Sequence, residues 1–157
     1  MGTETIAAAT RREVLLTGAG LLAVTLVRPA RADASDAPDM ASAIRDFVGE
    51  AEVKPGRIKL EIPALVENGN AAPVTLKVDS PMTDAEHVKA IALFNEKNPQ
   101  PNVAIFHLGP RAGRAQISTR MRLATSQKVT AVAALSDGTF WSDSADVIVT
   151  LAACIEG

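Results

Sequence analysis

The chain has 157 residues, 16 basic and 18 acidic side chains, a net charge of −2 and a single cysteine, Cys154. This charge balance disfavours nucleic acid as a partner, and one cysteine excludes an internal disulfide. The length fits a leader followed by one domain able to bury a core without staples.

The first element is the segment TRREVLLTGAGLLAVTLVRPARADA. Arg11-Arg12 precede an uncharged run from Val14 to Val27, and the small-residue pattern Ala30-Arg31-Ala32 follows. The run is 14 residues long, short for a membrane span and typical of a signal-peptide core. The paired arginines are of the twin-arginine type. We expect residues 1–32 to be a twin-arginine signal peptide cleaved after Ala32, which places the mature chain in a bacterial periplasm with no membrane segment. Cleavage removes four Arg and two Glu, leaving 12 basic and 16 acidic residues, about −4 overall. In an oxidising compartment an odd thiol points to pairing with another molecule, metal ligation or reactive chemistry.

Beyond a polar stretch, Met40, Ile44, Phe47 and Val48 sit at helical spacing, which predicts a short amphipathic helix over 40–48. Everything further reads as sheet. Ile58, Leu60 and Ile62 alternate with charged residues, and ENGN offers an Asn-Gly turn before Val74, Leu76 and Val78 alternate again. The run Val88 to Phe94 is apolar on both faces. With exposed edges, it gives a reason to bury surface against another sandwich. NEKNPQPN breaks it before Val103 to Leu108. GPRAG turns the chain into Ala115, Ile117, Thr119, Met121 and Leu123. Val129, Ala131, Ala133 and Leu135 form the sixth run, closed by a hairpin at Asp137-Gly138. The last strand starts near Thr139, is loosened at SDSA, and resumes with Val147, Val149 and Leu151. The sum is an all-β fold, an antiparallel β-sandwich of about seven strands preceded by a short N-terminal helix. From Ala152 the chain is expected to run off the edge of the sandwich, with Cys154 on a short tail.

PALVENGNAAPVTLKVDSPMT and FNEKNPQPNVAIFHLGPRAGRAQISTRMRLATSQKVTAVAALSDGTFW resemble the SoxY family, the sulfur carriers of the periplasmic Sox system, over nearly the whole mature chain. The resemblance implies an immunoglobulin-like sandwich over 33–151 and a mobile C-terminal carrier arm over 152–157. It implies a non-enzymatic role in which a sulfur intermediate is held covalently on Cys154 and presented to partner enzymes. The implied partners are a SoxZ-like subunit in a heterodimer and Sox enzymes of the SoxAX, SoxB and SoxCD types, with no cofactor and no metal on the carrier itself. The family arm typically reads Gly-Gly-Cys-Gly-Gly, whereas this chain has Ala152, Ala153, Cys154, Ile155, Glu156 and Gly157. Small alanines still suit a narrow channel, but Ile155 stiffens the tether and Glu156 adds charge beside an anionic adduct.

Other features have plainer readings. His87 and His107 have no partners at metal-ligand spacing and read as structural. Arg111, Arg114, Arg120 and Arg122 form either a basic docking face or, as we favour, the solvated side of a strand. Phe140 and Trp141 are adjacent and point to opposite faces, one toward the core and one toward an interface. No Ser-His-Asp set, phosphate loop or carboxylate pair emerges. The alternative function is a non-covalent periplasmic binding or assembly module, its thiol incidental or engaged in an intermolecular disulfide.

Overall fold

A computed structural model of the chain describes residues 39–153. The expected leader, residues 1–32, and Cys154, Ile155, Glu156 and Gly157 of the expected arm lie outside the described residues. Among those described, no helix is long and apolar enough to cross a membrane.

Helix α1 spans Met40–Val48, as its spacing predicts. Asp39 caps it by accepting the Ser42 N–H, and hydrogen bonding from Ser42, its side chain first and this N–H second, holds the Asp39 carboxyl below the usual carboxylate range. Gly49, at φ 67°, ends it and returns its N–H to the Arg45 carbonyl. Nine strands follow: β1 (Val53–Pro55), β2 (Ile58–Glu61), β3 (Leu65–Asn68), β4 (Ala72–Val78), β5 (Val88–Asn95), β6 (Asn102–His107), β7 (Gln116–Met121), β8 (Gln127–Leu135) and β9 (Phe140–Leu151). One sheet runs β1-β9-β8-β5-β6, with β3 also on β9; the other runs β2-β4-β7. The chain is therefore an all-β sandwich with an N-terminal helix, as expected. Between the sheets lies a core whose fully buried members include Leu76, Ile91, Leu93, Leu123, Val129 and Leu135.

Several expectations are corrected. There are nine strands and not about seven, because the short β1 and β3 are too brief to show alternation. Nor is the sandwich wholly antiparallel, since β1 and β3 both run parallel to β9, Val53 opposite Phe140 and Leu65 opposite Ile148. ENGN does not turn a hairpin. Its Asn68 ends β3 and caps a short 3-10 turn over Gly69–Ala71, so a strand of the larger sheet intervenes between the paired β2 and β4. Strand β9 is unbroken at SDSA because Asp143 and Ser144 find partners across the sandwich and on β8. Ser144 Oγ meets Thr130 Oγ1 at 2.9 Å, and Asp143 Oδ2 accepts the otherwise free N–H of Leu60 in the opposite sheet.

The two-faced apolar run of β5 also has a different cause from a partner sandwich. Its Ile91 and Leu93 face the inter-sheet core, whereas Ala92 and Phe94 pack with Val132 of β8 under α1. Phe47 of the helix meets the rings of Phe94 and Phe140 edge-on at 6.1 and 6.0 Å. The chain covers this outer face with its own helix. Phe140 thus serves the helix side and Trp141 the core side. The Trp141 indole N–H donates to Thr139 Oγ1, and Lys54 and Arg57 lie over its ring at 5.9 and 5.7 Å. The Asp137-Gly138 hairpin is present, with Gly138 at φ 83°. Asp137 Oδ1 accepts from both the Thr139 N–H and hydroxyl, which lowers its pKa.

Because Phe94 is fully buried between helix and sheet, we expect Phe94→Ala to cost about 3–5 kcal/mol in denaturant unfolding. A loss below about 1 kcal/mol would mean that α1 does not seal this face.

Candidate functional site

The end of β9 is where the sole cysteine is carried, and its geometry follows from how the sheet finishes. On one edge β3 continues alongside to the last residue, Asn68 opposite Leu151, and Thr150 Oγ1 donates to the Glu67 carbonyl. On the other edge β8 pairs with β9 only as far as Gln127 opposite Val147. Beyond that point Ser126 supplies a side chain where a ladder carbonyl would stand, and its Oγ accepts the Val149 N–H at 2.9 Å.

Four residues further along, the Ala153 N–H donates to the Leu123 carbonyl at 3.1 Å, and Ala153 is only 8% exposed. Ala152 is exposed. The sequence puts the start of the arm at Ala152, but the backbone is held one residue further, through Ala153. Leu123 in turn donates its N–H to the Gly69 carbonyl at 2.8 Å. This explains the glycine of ENGN: its φ is not positive, so no turn requires it. A Cβ there would overlap the Leu123 carbonyl oxygen and lie 2.9 Å from the Ala153 nitrogen and 3.0 Å from Val149 Cγ1. Gly69 is a notch that lets Leu123 and Ala153 meet.

Behind Leu123 stands a cluster of side-chain amides. Asn98 Nδ2 donates to the Arg122 carbonyl at 2.9 Å, and its Oδ1 accepts the Ala124 N–H at 3.0 Å. Gln127, 5% exposed, donates through Nε2 to Asn98 Oδ1 and to the Thr125 carbonyl, while its Oε1 accepts the Lys97 N–H. None of Gly69, Asn98, Leu123, Ser126 or Gln127 was singled out from the sequence. Asn98 lies inside NEKNPQPN, whose prolines read only as breakers.

The remaining candidates fall elsewhere. Arg111, Arg114, Arg120 and Arg122 are all exposed, consistent with a solvated face. His87 Nδ1 lies 3.1 Å from the Thr83 carbonyl, and His107 is exposed on β6. Among the described residues no three of His, Cys, Asp or Glu gather in a group able to hold a metal. A concavity of about 1020 Å³ is an open groove over β2, β4 and β7 lined by residues that include Glu61, Thr75, Ser118 and Arg120. Glu61 there is held below its ordinary pKa by a 2.7 Å bond from Lys77 and by Lys59. This is an ion network in solvent, and the Thr75 and Ser118 hydroxyls of the groove bond each other at 3.0 Å. Among the described residues, the end of β9 is tied at the rim through Val149, Thr150 and Ala153.

A family model described as sulfur oxidation protein SoxY matches residues 44–154, well over half the chain and through Cys154. Among solved structures, the sulfur carrier protein SoxY from Chlorobium limicola f. thiosulfatophilum is similar at 27% identity with a TM-score of 0.61, over 72% of this chain and 97% of that one. A superoxide reductase (neelaredoxin) from Ignicoccus hospitalis matches at 18% identity and TM-score 0.53, over 60% and 80% of the two chains. One from Nanoarchaeum equitans matches at 13% and 0.53, over 61% and 100%. These last two share the fold alone. A search of curated proteins found no match.

The notch predicts that Gly69→Ala lowers stability by about 1–3 kcal/mol through overpacking and speeds hydrogen exchange at the Ala153 amide. Gly109→Ala is the control: an added methyl meets nothing within 4 Å at a φ of −149°, so stability should stay within about 0.5 kcal/mol. Equal protection of Ala153 in both variants would remove the notch.

Proposed function

The chain belongs to the family of sulfur oxidation protein SoxY, and we propose that it carries sulfur intermediates covalently on Cys154 and presents them to partner enzymes. A sulfur-oxidation carrier role follows from the family; the attachment atom and the partners are our reading. The observation that carries it is a family match that runs through Cys154, the chain's sole thiol.

The chemistry suits a thiol and needs no pocket. A thiolate of ordinary pKa, about 8.5, is ionised in useful fraction near neutrality and exchanges sulfur–sulfur bonds. In loading, the Cys154 sulfur forms an S–S bond to the sulfane sulfur of thiosulfate or a related species. The thiol proton passes to solvent, and two electrons pass to an oxidising partner enzyme of the SoxAX type. In release, water attacks the terminal sulfonate sulfur at a SoxB-type hydrolase. The bond from that sulfur to the sulfane sulfur breaks, sulfate and two protons depart, and a persulfide remains on Cys154. A SoxCD-type enzyme then oxidises the sulfane sulfur to a sulfonate, three waters supplying the oxygens while six protons pass to solvent and six electrons to that enzyme. The chain itself supplies the tethered sulfur and is not the enzyme.

The arm of this reading is short. With Ala153 hydrogen-bonded at the rim, it comprises Cys154, Ile155, Glu156 and Gly157. We further propose a SoxZ-like subunit as the stable partner and the periplasm as the compartment, reached through the twin-arginine leader at residues 1–32. Both rest on the family and the leader sequence, since α1 already covers the apolar face that had argued for a second sandwich.

One isolation reads all of this. Full-length chain co-expressed with a SoxZ-like subunit and recovered from the periplasm should begin near Asp33, co-elute with that subunit, and show reducible sulfur-containing mass additions. Cys154→Ser should lose every addition and stop sulfate release in a system reconstituted with the partner enzymes, while melting within about 2 °C of wild type, as a tail substitution does. Undiminished sulfate release from the Ser variant would overturn the carrier reading in favour of a non-covalent assembly module.

A further inference from the structure

Resting on the carrier reading, we infer that Asn98 is a positioning residue. It holds the two peptide groups around Leu123 so that the Leu123 carbonyl stays on the Ala153 N–H, and it thereby fixes the point from which Cys154 is presented. In a trans peptide the C=O and N–H point in opposite directions. The peptide between Arg122 and Leu123 is bonded at both ends, its carbonyl to Asn98 Nδ2 at 2.9 Å and its N–H to the Gly69 carbonyl at 2.8 Å. The next peptide is bonded likewise, its N–H to Asn98 Oδ1 at 3.0 Å and its carbonyl to the Ala153 N–H at 3.1 Å. One carboxamide therefore sets the rotation of both groups. Losing it frees them to turn away from Gly69 and from Ala153 together.

The carboxamide is itself oriented. Oδ1 accepts from the Ala124 N–H and Gln127 Nε2, and Nδ2 faces a carbonyl, so only one flip state satisfies all three contacts. Gln127 is buried and fixed at both ends. A loop that merely connected β7 to β8 would need none of this. Ser126 holds Val149 on the other side of the same segment, so the final turn of chain before the thiol is tied from Asn98 inward and from Ser126 across. A fixed base reduces the volume a short tether must search when it enters a partner's channel.

The test uses the mature chain with its SoxZ-like subunit and the loading enzymes. In Asn98→Ala, amide exchange at Ala153 and Leu123 should accelerate by about tenfold or more while Ala92 and Ala131 in the core strands stay protected. The KM for the carrier as substrate should rise about tenfold with kcat within about twofold. Reaction of Cys154 with a small aromatic disulfide, which needs no positioning, should change by less than about twofold. Asn98→Asp keeps two acceptor bonds at Oδ1 but sets a carboxylate oxygen against the Arg122 carbonyl in place of the Nδ2 donor, so it should recover only part of the Ala153 protection and part of the KM. If Asn98→Ala does not fold, Asn98→Asp gives both readouts at smaller amplitude. Unchanged exchange at Ala153, or faster exchange with an unchanged KM, overturns the positioning role while leaving the carrier reading intact. Absence of any sulfur adduct on the wild-type chain overturns the carrier reading itself.

Discussion

Burial of β5 and β8 on both faces is the constraint from which the architecture follows. Ile91, Leu93, Val129, Ala131 and Ala133 need a second sheet, and β2-β4-β7 is that sheet. Ala92, Phe94 and Val132 need cover on the far side, and α1 is that cover. Each of these side chains is almost completely removed from water, and fully burying an Ile, Leu, Val or Phe among them contributes roughly 1.5–3 kcal/mol. The small sheet, whose outer face carries Lys59, Glu61 and Lys77 in an ion network, needs no such cover. One sheet is covered on both faces and the other meets solvent on one.

How much of this was legible in the sequence depends on which physical signal each element leaves. Helix α1 and the runs of β2, β4, β5, β6, β7 and β8 announce themselves by period, because one face or both must be apolar. The Asp137-Gly138 turn announces itself by chemistry, since the αL position needs glycine and Asp137 can bond the backbone two residues on. Strands β1 and β3 leave almost no signal. They are three and four residues long, and their pairing with β9 depends on residues at the far end of the chain. The SDSA segment misled for a related reason: Ser144 and Asp143 look like loop residues until Thr130 and Leu60 are seen opposite them.

The candidate site divides along the same line. Cys154 stands out by being single and terminal. The mount beneath it could not be read, because Gly69, Asn98, Leu123 and Ala153 are distant in sequence and each is an ordinary residue of its type. Gly69 in particular gave a misleading cue. Next to an asparagine, a glycine looks like a turn former, and only the approach of Leu123 and Ala153 shows that its missing side chain is what matters. In each case the signal was a contact, and contacts between remote segments leave no period to find.

The twelve residues of β9 carry a consequence for biosynthesis. This strand sits between β8 on one edge and β1 and β3 on the other, and its pairing reaches back across the chain, Thr150 bonding Glu67 83 residues earlier. Until β9 has been made, β1 and β3 have no strand to pair with in the larger sheet, and the outer edge of β8 is open. Sheets closed by such remote contacts form slowly and are vulnerable while incomplete. The nascent chain is therefore most vulnerable to aggregation before β9 is made. A product truncated ahead of β9 would lack both the cysteine and the strand that joins β8 to β1 and β3.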